Sequence, residues 1–477
     1  MKLGYDDSNK QSIENYAIEL VGKSLIDVLN NDFKDRFGEN KSKGKLGNIV
    51  EESYFGYKIN SKQEADFKKV GVELKVAPLK ALKPKKNPKN LREKACIAAK
   101  ERIVLTIIDY LKVGLEDWEN NTMMDKCREL LLMFYMYEKD KPVEELVFRL
   151  ISLWSPSEED LKVIKNDWLI INKKIKNGQA HEISEGDTMY LGACTKGSTA
   201  EKSKRQQPFS DILAPQRAFC FKNSYVNSII EELLEAETYS RKKKVKSLDG
   251  KNDGDTFDNF VLNKFKKLEG LSITEIMTRL EITRERKAKS FVRLVTEDIS
   301  KKFFGDKVDN LEEFKKANIE MKVIVTQPSL MPKESMSFEQ INYLDIEREE
   351  WEYSEIKSKF ENNKFLWVIY KSKKNYEKQS DISLDDLVFY KAMFWNMPIE
   401  DINGNMKFVW EDTVDKIRSG IYNNFIGISD KKDFHVRFKG ANKEDKALTI
   451  QGTYETKRCF WLNADYVKKQ ILKVEED

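Results

Sequence analysis

Asp66, Glu73 and Lys75 are the residues of this sequence whose types and spacing best suit a chemical reaction. They lie in SKQEADFKKVGVELKV, residues 61–76, where the alternation after Gly71 predicts a hairpin. Because side chains alternate along a strand, Glu73 and Lys75 share one face, and Asp66 can reach Glu73 from across the hairpin. Two carboxylates suit Mg²⁺, which offsets charge on a phosphate, and a lysine can orient the attacking water. The pattern therefore predicts metal-assisted phosphodiester hydrolysis, although a solvated strand face produces the same spacing.

The elements that must position these side chains are helices packed on a mixed sheet. One helix, over residues 44–55, places Gly47 and Glu51 one turn apart. Ser155 or Ser157 can cap a long helix that Gly178 ends. The apolar spacing predicts helices at residues 12–37, 44–55 and 155–178, and strands at residues 102–111, 188–194 and 217–222. The fold class expected is α/β, a mixed sheet with flanking helices.

The sequence repeats itself. Residues 67–76 and 314–323 are identical at six of ten positions. Further matches keep their order along the chain, and the offset between the copies drifts only from 248 to 241 residues. Order kept over this length predicts two tandem copies of one fold. The expected domains are residues 1–236, a basic linker at 237–255, and residues 256–477.

The second copy alters the residues that suggest chemistry. It keeps Glu320 and Lys322 but has Glu313 where the first copy has Asp66. The extra methylene of a glutamate displaces the carboxylate by more than a metal site usually tolerates. The counterpart of Glu51 falls on or near Ser300, which two lysines follow. We therefore expect the second copy to keep the fold without the chemistry; a second working site is the alternative.

Composition excludes several classes of protein. The net charge is only +4, and charged residues make up 34% of the chain, which indicates a globular protein with a charged surface. Two histidines, His181 and His435, argue against histidine-ligated zinc and a Ser/His triad. Five cysteines form no CxxC pair, and no apolar run is long enough to cross a membrane. A cytoplasmic protein with no membrane partner is expected.

A basic stretch suits a nucleic acid. Residues 80–102 contain nine basic and two acidic side chains, a charge balance that can follow a phosphate backbone. A solvated loop is the alternative reading of the same charges. The residues expected to bind DNA are Lys85, Lys86, Lys89 and Arg92 of this stretch, with Arg217 and Lys222 near the last strand and Lys196.

The motifs resemble those of the MutH family. SKQEADFKKVGVELK, followed by Pro78, resembles its catalytic segment, and KGKLGNIVE at residues 43–51 resembles the helix that delivers a further glutamate. LWSPSEED, NDW, NGQ and QRAFCFKNSY resemble its long helix and last strand. The family holds the mismatch-repair nickase MutH and the Sau-type restriction endonucleases that cut GATC. The resemblance implies a restriction-endonuclease-like fold and Mg²⁺-dependent hydrolysis of DNA.

The resemblance also implies roles for single residues. Asp66 and Glu73 become metal ligands, Lys75 the catalytic lysine and Glu51 a supporting acid. Lys100, in AAKERIVL, falls where the family has another lysine near the scissile phosphate.

Base recognition departs from the family pattern. Lys196 lies in a loop that resembles the base-reading loop of the family. The arginine that precedes this lysine in MutH has no counterpart, since Cys194 and Thr195 stand there. Cys220 replaces a tyrosine of the nickase. Sensitivity to methylation is therefore left open.

The expected function is a type II restriction endonuclease that cleaves both strands of double-stranded DNA at GATC. The second copy would bind another GATC site as an allosteric effector, so that an active complex holds two sites, and oligomers on DNA are left open. A cognate methyltransferase is expected as a partner in the system rather than as a physical partner. The alternatives are a MutH-type strand nickase and a catalytically dead DNA-binding protein. The second copy could also serve only stability or dimerisation.

Overall fold

The computed structural model describes most of the chain. The described residues are 4–29, 45–57, 64–88, 90–196, 203–238, 256–286, 290–351, 354–378, 381–440, 442 and 444–476. The chain forms two compact units, Met1–Lys244 with Lys315–Ala317, and Val245–Phe314 with Asn318–Asp477. Most of the expected linker, residues 239–255, lies outside the described part. None of the helices that the structure describes is long and apolar enough to pass through a bilayer.

Unit one is built on two sheets and a hairpin. Its strands are β1 (Glu73–Ala81), β2 (Ile97–Ala99), β3 (Ile103–Ile107), β4 (Leu130–Met136), β5 (Phe148–Trp154), β6 (Leu191–Thr195), β7 (Lys204–Gln207), β8 (Ser210–Pro215) and β9 (Arg217–Phe221). The first sheet has the order β2-β1-β4-β5, in which β1 and β4 are parallel and the other pairs antiparallel. The second sheet is β3-β9-β6, and β7 pairs with β8. The fold is thus mixed α/β, as predicted.

Helices cover these sheets. They are α1 (Lys10–Ile18), α2 (Leu25–Val28), α3 (Lys45–Ile49), α4 (Leu91–Ala95), α5 (Tyr110–Val113), α6 (Thr122–Cys127), α7 (Glu158–Lys176) and α8 (Asn223–Thr238). A π-helical turn, Val50–Tyr54, continues α3 and carries Glu51. The long helix α7 was predicted correctly: the Ser157 hydroxyl accepts from the backbone N–H of Asp160, and Gly178 follows the helix at φ +72°.

Two predicted elements are shorter than expected. The helix expected over residues 12–37 ends at Ile18, and a new helix starts at Leu25 after Gly22 turns the chain at φ +79°. Residues 30–37 lie outside the described part. The strand expected over residues 102–111 ends at Ile107, because the Asp109 carboxylate accepts from two backbone N–H groups and caps α5. A glycine turn sets the first boundary, and the capping carboxylate of Asp109 sets the second.

Unit two repeats this plan. Its strands are β10 (Ile319–Thr326), β11 (Met336–Gln340), β12 (Lys364–Ser372), β13 (Leu387–Trp395), β14 (Phe434–Phe438), β15 (Lys446–Leu448), β16 (Tyr454–Thr456) and β17 (Arg458–Leu462). The sheets are β10-β12-β13 and β11-β17-β14, and β15 pairs with β16. β10 runs parallel to β12 as β1 does to β4, and β12 antiparallel to β13 as β4 does to β5. Both units therefore present their first strand in the same setting.

The helices of unit two follow the same order. They are α9 (Phe257–Lys266), α10 (Ile273–Arg279), α11 (Phe291–Phe304), α12 (Glu312–Lys316), α13 (Tyr343–Ile346), α14 (Glu355–Asn362), α15 (Ile399–Asp401), α16 (Lys407–Arg418) and α17 (Ala464–Glu476). Each unit has its own apolar core. In unit one it includes Phe55, Phe67 and Leu131, and in unit two Phe365, Trp367 and Trp410.

Candidate active site

The first strand of unit one carries the central carboxylate of the site. A turn at Gly71, with φ +69°, and a single antiparallel bridge between Phe67 and Val72 form the predicted hairpin. Glu73 begins β1 and is only 3% exposed. Its Oε1 accepts from the Lys75 Nζ at 2.7 Å, while its Oε2 is buried and has no hydrogen-bond partner among the described residues. Burial without a partner is costly for a carboxylate oxygen, so this atom is available to a ligand.

Two further carboxyl groups face Glu73. The Asp66 Oδ2 accepts from the backbone N–H of Leu74 at 3.0 Å, which fixes Asp66 across the hairpin as expected. Burial and the charge of Glu73 raise the pKa of Asp66. Glu51 approaches from the π-helical turn, and burial followed by the charge of Asp66 raises the pKa of Glu51 to about 7. Like charges held together in a partly buried site raise each other's pKa in this way.

A second lysine joins the cluster, and it is not the one that the sequence suggested. The Lys126 Nζ, at the end of α6, lies 3.6 Å from the Glu73 Oε1, and its charge opposes the rise in the pKa of Asp66. Lys100 instead places its Nζ 3.2 Å from Glu101 and 4.3 Å from the centre of the Tyr137 ring. The assignment of the second lysine to Lys100 is therefore corrected to Lys126.

Lys126 was missed because no strand was predicted at β4. α6 leads directly into β4, and β4 pairs in parallel with β1 from Glu73 onward. A basic residue on the helix before the apolar run LLLMFYM was the signal in the sequence.

The cluster fits a hard divalent cation. The part of the chain that the structure describes contains no group of three His, Cys, Asp or Glu side chains arranged to hold a metal ion. Mg²⁺ nevertheless keeps several waters and needs only one or two carboxylates of the protein. Asp66, with its raised pKa, and the unpartnered Oε2 of Glu73 are the oxygens that could hold such an ion.

Unit two neutralises the corresponding carboxylate. Glu320 lies on β10 as Glu73 lies on β1. The Lys322 Nζ lies 2.6 Å from its Oε1, and the Lys359 Nζ lies 2.9 Å from its Oε2. Burial acts to raise the pKa of Glu320, but these two lysines outweigh it and the pKa is lowered, whereas the pKa of Asp66 in unit one is raised. Ser300, the expected counterpart of Glu51, is buried and donates to the carbonyl of Thr296.

The basic stretch contributes fewer free cations than expected. Lys86 is exposed, and Lys85 is exposed with its Nζ 2.6 Å from Glu93. Lys89 lies outside the described residues. Arg92 is partly buried, and its guanidinium contacts Asn227 and Glu231 of α8, so these groups compete with a phosphate for it.

Two of the three other predicted DNA contacts are interior residues. Lys222 is 1% exposed and donates to the carbonyl of Thr188 at 2.5 Å. Arg217 is also buried and donates to the carbonyl of Ala193. Both side chains hold β6 and β9 together rather than facing solvent, which corrects their assignment. Lys196 remains a candidate, because it is partly exposed at the end of β6.

Comparisons with known proteins agree with this architecture. The family model of the DNA mismatch repair enzyme MutH matches the chain twice, at residues 55–167 and 306–403. Sau3AI, a type II restriction enzyme of Staphylococcus aureus, is 32% identical over 97% of this chain and 98% of that enzyme. The DNA mismatch repair protein MutH of Shewanella woodyi is 25% identical over 40% of this chain and 77% of its own length. MutH of Vibrio parahaemolyticus is 26% identical over 40% and 78%.

The repeated α/β fold and the cluster of carboxylates and lysines define a site-specific deoxyribonuclease, an enzyme that hydrolyses phosphodiester bonds in double-stranded DNA. The chain belongs to the MutH-like family of type II restriction enzymes. The predicted family, fold class and enzyme class are thereby confirmed.

Proposed function

We propose that unit one cleaves both strands of double-stranded DNA at GATC, and that unit two binds a second GATC site and activates unit one. The observation that carries the division of labour is the contrast between Glu73 and Glu320. Glu73 keeps a buried oxygen without a partner, whereas lysines occupy both oxygens of Glu320. Three carboxyl groups beside two lysines, with one carboxylate oxygen left without a partner, favour a divalent cation in unit one, and the carboxylate paired at both oxygens in unit two does not.

Asp66 and Glu73 would hold Mg²⁺ in unit one, and the ion, when bound, would offset charge on the scissile phosphate and acidify water. The Lys75 Nζ keeps the Glu73 Oε1 in place and directs its Oε2 toward the site. Lys75 and Lys126 bring two positive charges beside the carboxylates, where they can stabilise the developing charge of the phosphate. Glu51, with a pKa of about 7, can hold or release a proton at neutral pH.

The proposal that the enzyme recognises GATC comes from its membership of the MutH-like family. Lys196, at the end of β6, is the residue of unit one that we propose for base contacts, with Lys85 and Lys86 on the phosphate backbone. Cys194 and Cys220 are both buried, so they offer no exposed side chain in place of the missing arginine and tyrosine. A cognate methyltransferase would protect the host sites.

A strand nickase is the second candidate. The relatives named MutH cover only 40% of this chain, whereas Sau3AI covers nearly all of it. The presence of two units therefore favours restriction over nicking. A protein without catalysis is the third candidate, and the unpartnered Glu73 oxygen argues against it.

Digestion of an unmethylated supercoiled plasmid with several GATC sites separates the three functions. Restriction predicts linear fragments in the presence of Mg²⁺ and none with EDTA. Accumulation of open circles alone would identify a nickase, and intact supercoils would indicate a protein that binds DNA without cutting it. A plasmid whose GATC sites have been removed is the control for specificity.

The effector role has a separate test. DNA bound at unit two can accelerate unit one only if it binds the active conformation more tightly, and a tenfold activation needs about 1.4 kcal/mol of such preference. A substrate with two sites should be cut faster than one with a single site, and a short GATC duplex added in trans should rescue the single-site substrate. Equal rates without any response to the duplex would contradict the effector role.

A further inference from the structure

The second sheets of the two units correspond residue by residue. The backbone N–H of Lys196 donates to the carbonyl of Gln216 at 2.7 Å, and that of Lys439 donates to the carbonyl of Lys457 at 2.9 Å. Lys196 directly follows the edge strand β6, and Lys439 directly follows the edge strand β14. Each lysine is hydrogen-bonded to the residue that precedes the central strand of its sheet, β9 or β17. Lys439 is therefore the counterpart of Lys196 in unit two.

The same register identifies two more pairs. Two residues before each lysine, Cys194 of unit one corresponds to Arg437 of unit two. Three residues into the central strand, Cys220 corresponds to Trp461. In unit one these positions belong to a small buried cluster of cysteine and alanine. In unit two a cation and a large aromatic side chain replace them.

Four side chains form a polar surface on this sheet, which we call the Trp461 face: Ser337, Arg437, Lys439 and Trp461. The Arg437 guanidinium lies 4.9 Å and the Lys439 Nζ 5.0 Å from the centre of the Trp461 ring. The Lys439 Nζ also donates to the Ser337 hydroxyl at 2.6 Å. The cations are thus held in place by an aromatic ring and a hydroxyl.

Among the described residues, no ion pair compensates the charge of the Trp461 face. Arg437 and Lys439 are both exposed, and Trp461 is partly exposed. Among the residues that the structure describes, no carboxylate lies within ion-pair distance of Arg437 or Lys439. The opposite side of the sheet is core, where Phe460 and Leu462 pack with α17. The face is therefore the side of the sheet that is open to a ligand.

We propose that the Trp461 face is the surface by which unit two holds a second DNA duplex. Two fixed cations can neutralise phosphates and release their counterions. A partly exposed indole beside them suits contact with a deoxyribose or a base edge. A polyanion that presents flat apolar rings beside its charges is the partner that this chemistry fits. The inference rests on the proposed effector role of unit two and assigns the residues that perform it.

The test counts duplexes bound per chain. The full chain carrying Glu73→Gln, which should not cut DNA, is titrated with a short GATC duplex in EDTA, and the stoichiometry is measured by native mass spectrometry. We expect two duplexes per chain for this parent and one after Arg437→Ala with Lys439→Ala. Trp461→Ala should weaken the second binding event at least tenfold. Arg437→Lys keeps the positive charge, so this variant should still bind the second duplex, with reduced affinity.

Lys469→Ala is the matched control, because Lys469 is exposed on α17, behind the sheet. It removes the same charge and should leave both duplexes bound. With Glu73 intact, cleavage of a single-site substrate by Arg437→Ala should not accelerate when the short duplex is added, whereas cleavage by Lys469→Ala should.

The outcomes separate this inference from the proposal beneath it. If the parent binds two duplexes and the Arg437→Ala, Lys439→Ala variant still binds two, the second duplex lies elsewhere and the inference is wrong, while the effector role stands. If the parent binds only one duplex per chain, the effector role fails and the Trp461 face fails with it. Arg437→Glu, a change at an exposed position that should not disturb folding, must also abolish the second event.

Discussion

At the scale of single residues, the site is defined by charges that the fold does not neutralise. Glu51, Asp66 and Glu73 come together with two lysines, yet the pKa of Asp66 and of Glu51 is raised. Spacing in the sequence predicted Asp66, Glu73 and Lys75, because strand alternation fixes which side chains share a face. It did not identify Lys126, whose approach depends on the pairing of β1 with β4, a strand that was not predicted.

Replacing each of the two candidate lysines by alanine tests whether Lys126 or Lys100 acts in the site. Lys126→Ala should lower the rate of cleavage at least a hundredfold, because it removes a positive charge next to Glu73, where we propose that the scissile phosphate binds. Lys100→Ala, which removes a charge beside Glu101 and Tyr137, should change the rate less than about fivefold. Single-turnover rates with saturating enzyme provide the comparison. A larger loss in Lys100→Ala than in Lys126→Ala would restore the original assignment.

The carboxyl group of Glu51 should make stability depend on pH when metal is absent. Its ordinary pKa is 4.5, and the folded value is about 7. Below pH 4.5 the group is protonated in both states and has no effect. Between pH 4.5 and 7 the unfolded state ionises first, so stability is lost as the pH rises through this window.

Glu51→Gln removes this dependence. In EDTA at pH 8 the variant should unfold at a higher urea concentration than the parent, and at pH 4 the two midpoints should coincide. Glu19→Gln, on an exposed side chain, is the control and should leave both midpoints unchanged. A Glu51→Gln variant less stable than the parent at pH 8 would show that the ionised carboxylate stabilises the site.

At the scale of elements, the sequence predicts helices and strands whose limits are set by their own residues. It does not predict features that depend on packing against distant parts of the chain. The helix α7 follows from Ser157, an apolar stripe and Gly178, all within its own sequence. β4 and β5 were missed because continuous apolar runs do not distinguish a buried strand from other core segments. The interior positions of Arg217 and Lys222 depend on how β6 packs between β9 and α7, which their own neighbours in sequence do not reveal.

A buried carboxylate on α7 anchors the strand that leads to Lys196. Asp167 accepts from the backbone N–H groups of Met189, Tyr190 and Leu191 at 2.8, 2.7 and 2.9 Å. Burial raises the pKa of Asp167 to about 6, although these donors and the charge of Lys222 oppose the rise. The start of β6, and through it the end that carries Lys196, is thereby fixed to the helix.

The equivalent positions in unit two are Val409 and Asn463, so the buried pair of charges belongs to unit one alone. Asp167→Val should leave three backbone N–H groups unsatisfied and cost about 3–5 kcal/mol. It should also raise KM for a GATC substrate more than it lowers kcat, since Lys196 loses its position. Glu159→Gln, at an exposed position of the same helix, should change neither quantity.

Adding Lys222→Asn to Asp167→Val reproduces the residues of unit two. Removing both charges should recover part of the lost stability, because Asp167→Val alone leaves a buried positive charge beside an apolar side chain and Lys222→Asn removes that charge. Chemical denaturation of the two variants measures this recovery. Additive losses would show that Asp167 and Lys222 act independently.

At the scale of the whole molecule, one fold occurs twice with opposite electrostatics. In unit one the second sheet carries small buried side chains, and the first sheet carries Glu73, whose Oε2 has no hydrogen-bond partner among the described residues. In unit two the second sheet carries exposed cations around Trp461, and the first sheet carries a carboxylate neutralised by lysines. A duplicated nuclease in which one copy specialises in binding and the other in cutting accounts for both differences.

The rate of DNA cleavage by two matched variants tests this division most directly. Glu73→Gln and Glu320→Gln make the same change at equivalent positions of β1 and β10. Single-turnover cleavage of a two-site GATC substrate in Mg²⁺ should fall by more than a thousandfold in Glu73→Gln and by less than threefold in Glu320→Gln, with both variants folded. A comparable loss in Glu320→Gln would contradict the account, because unit two would then also carry out the chemistry.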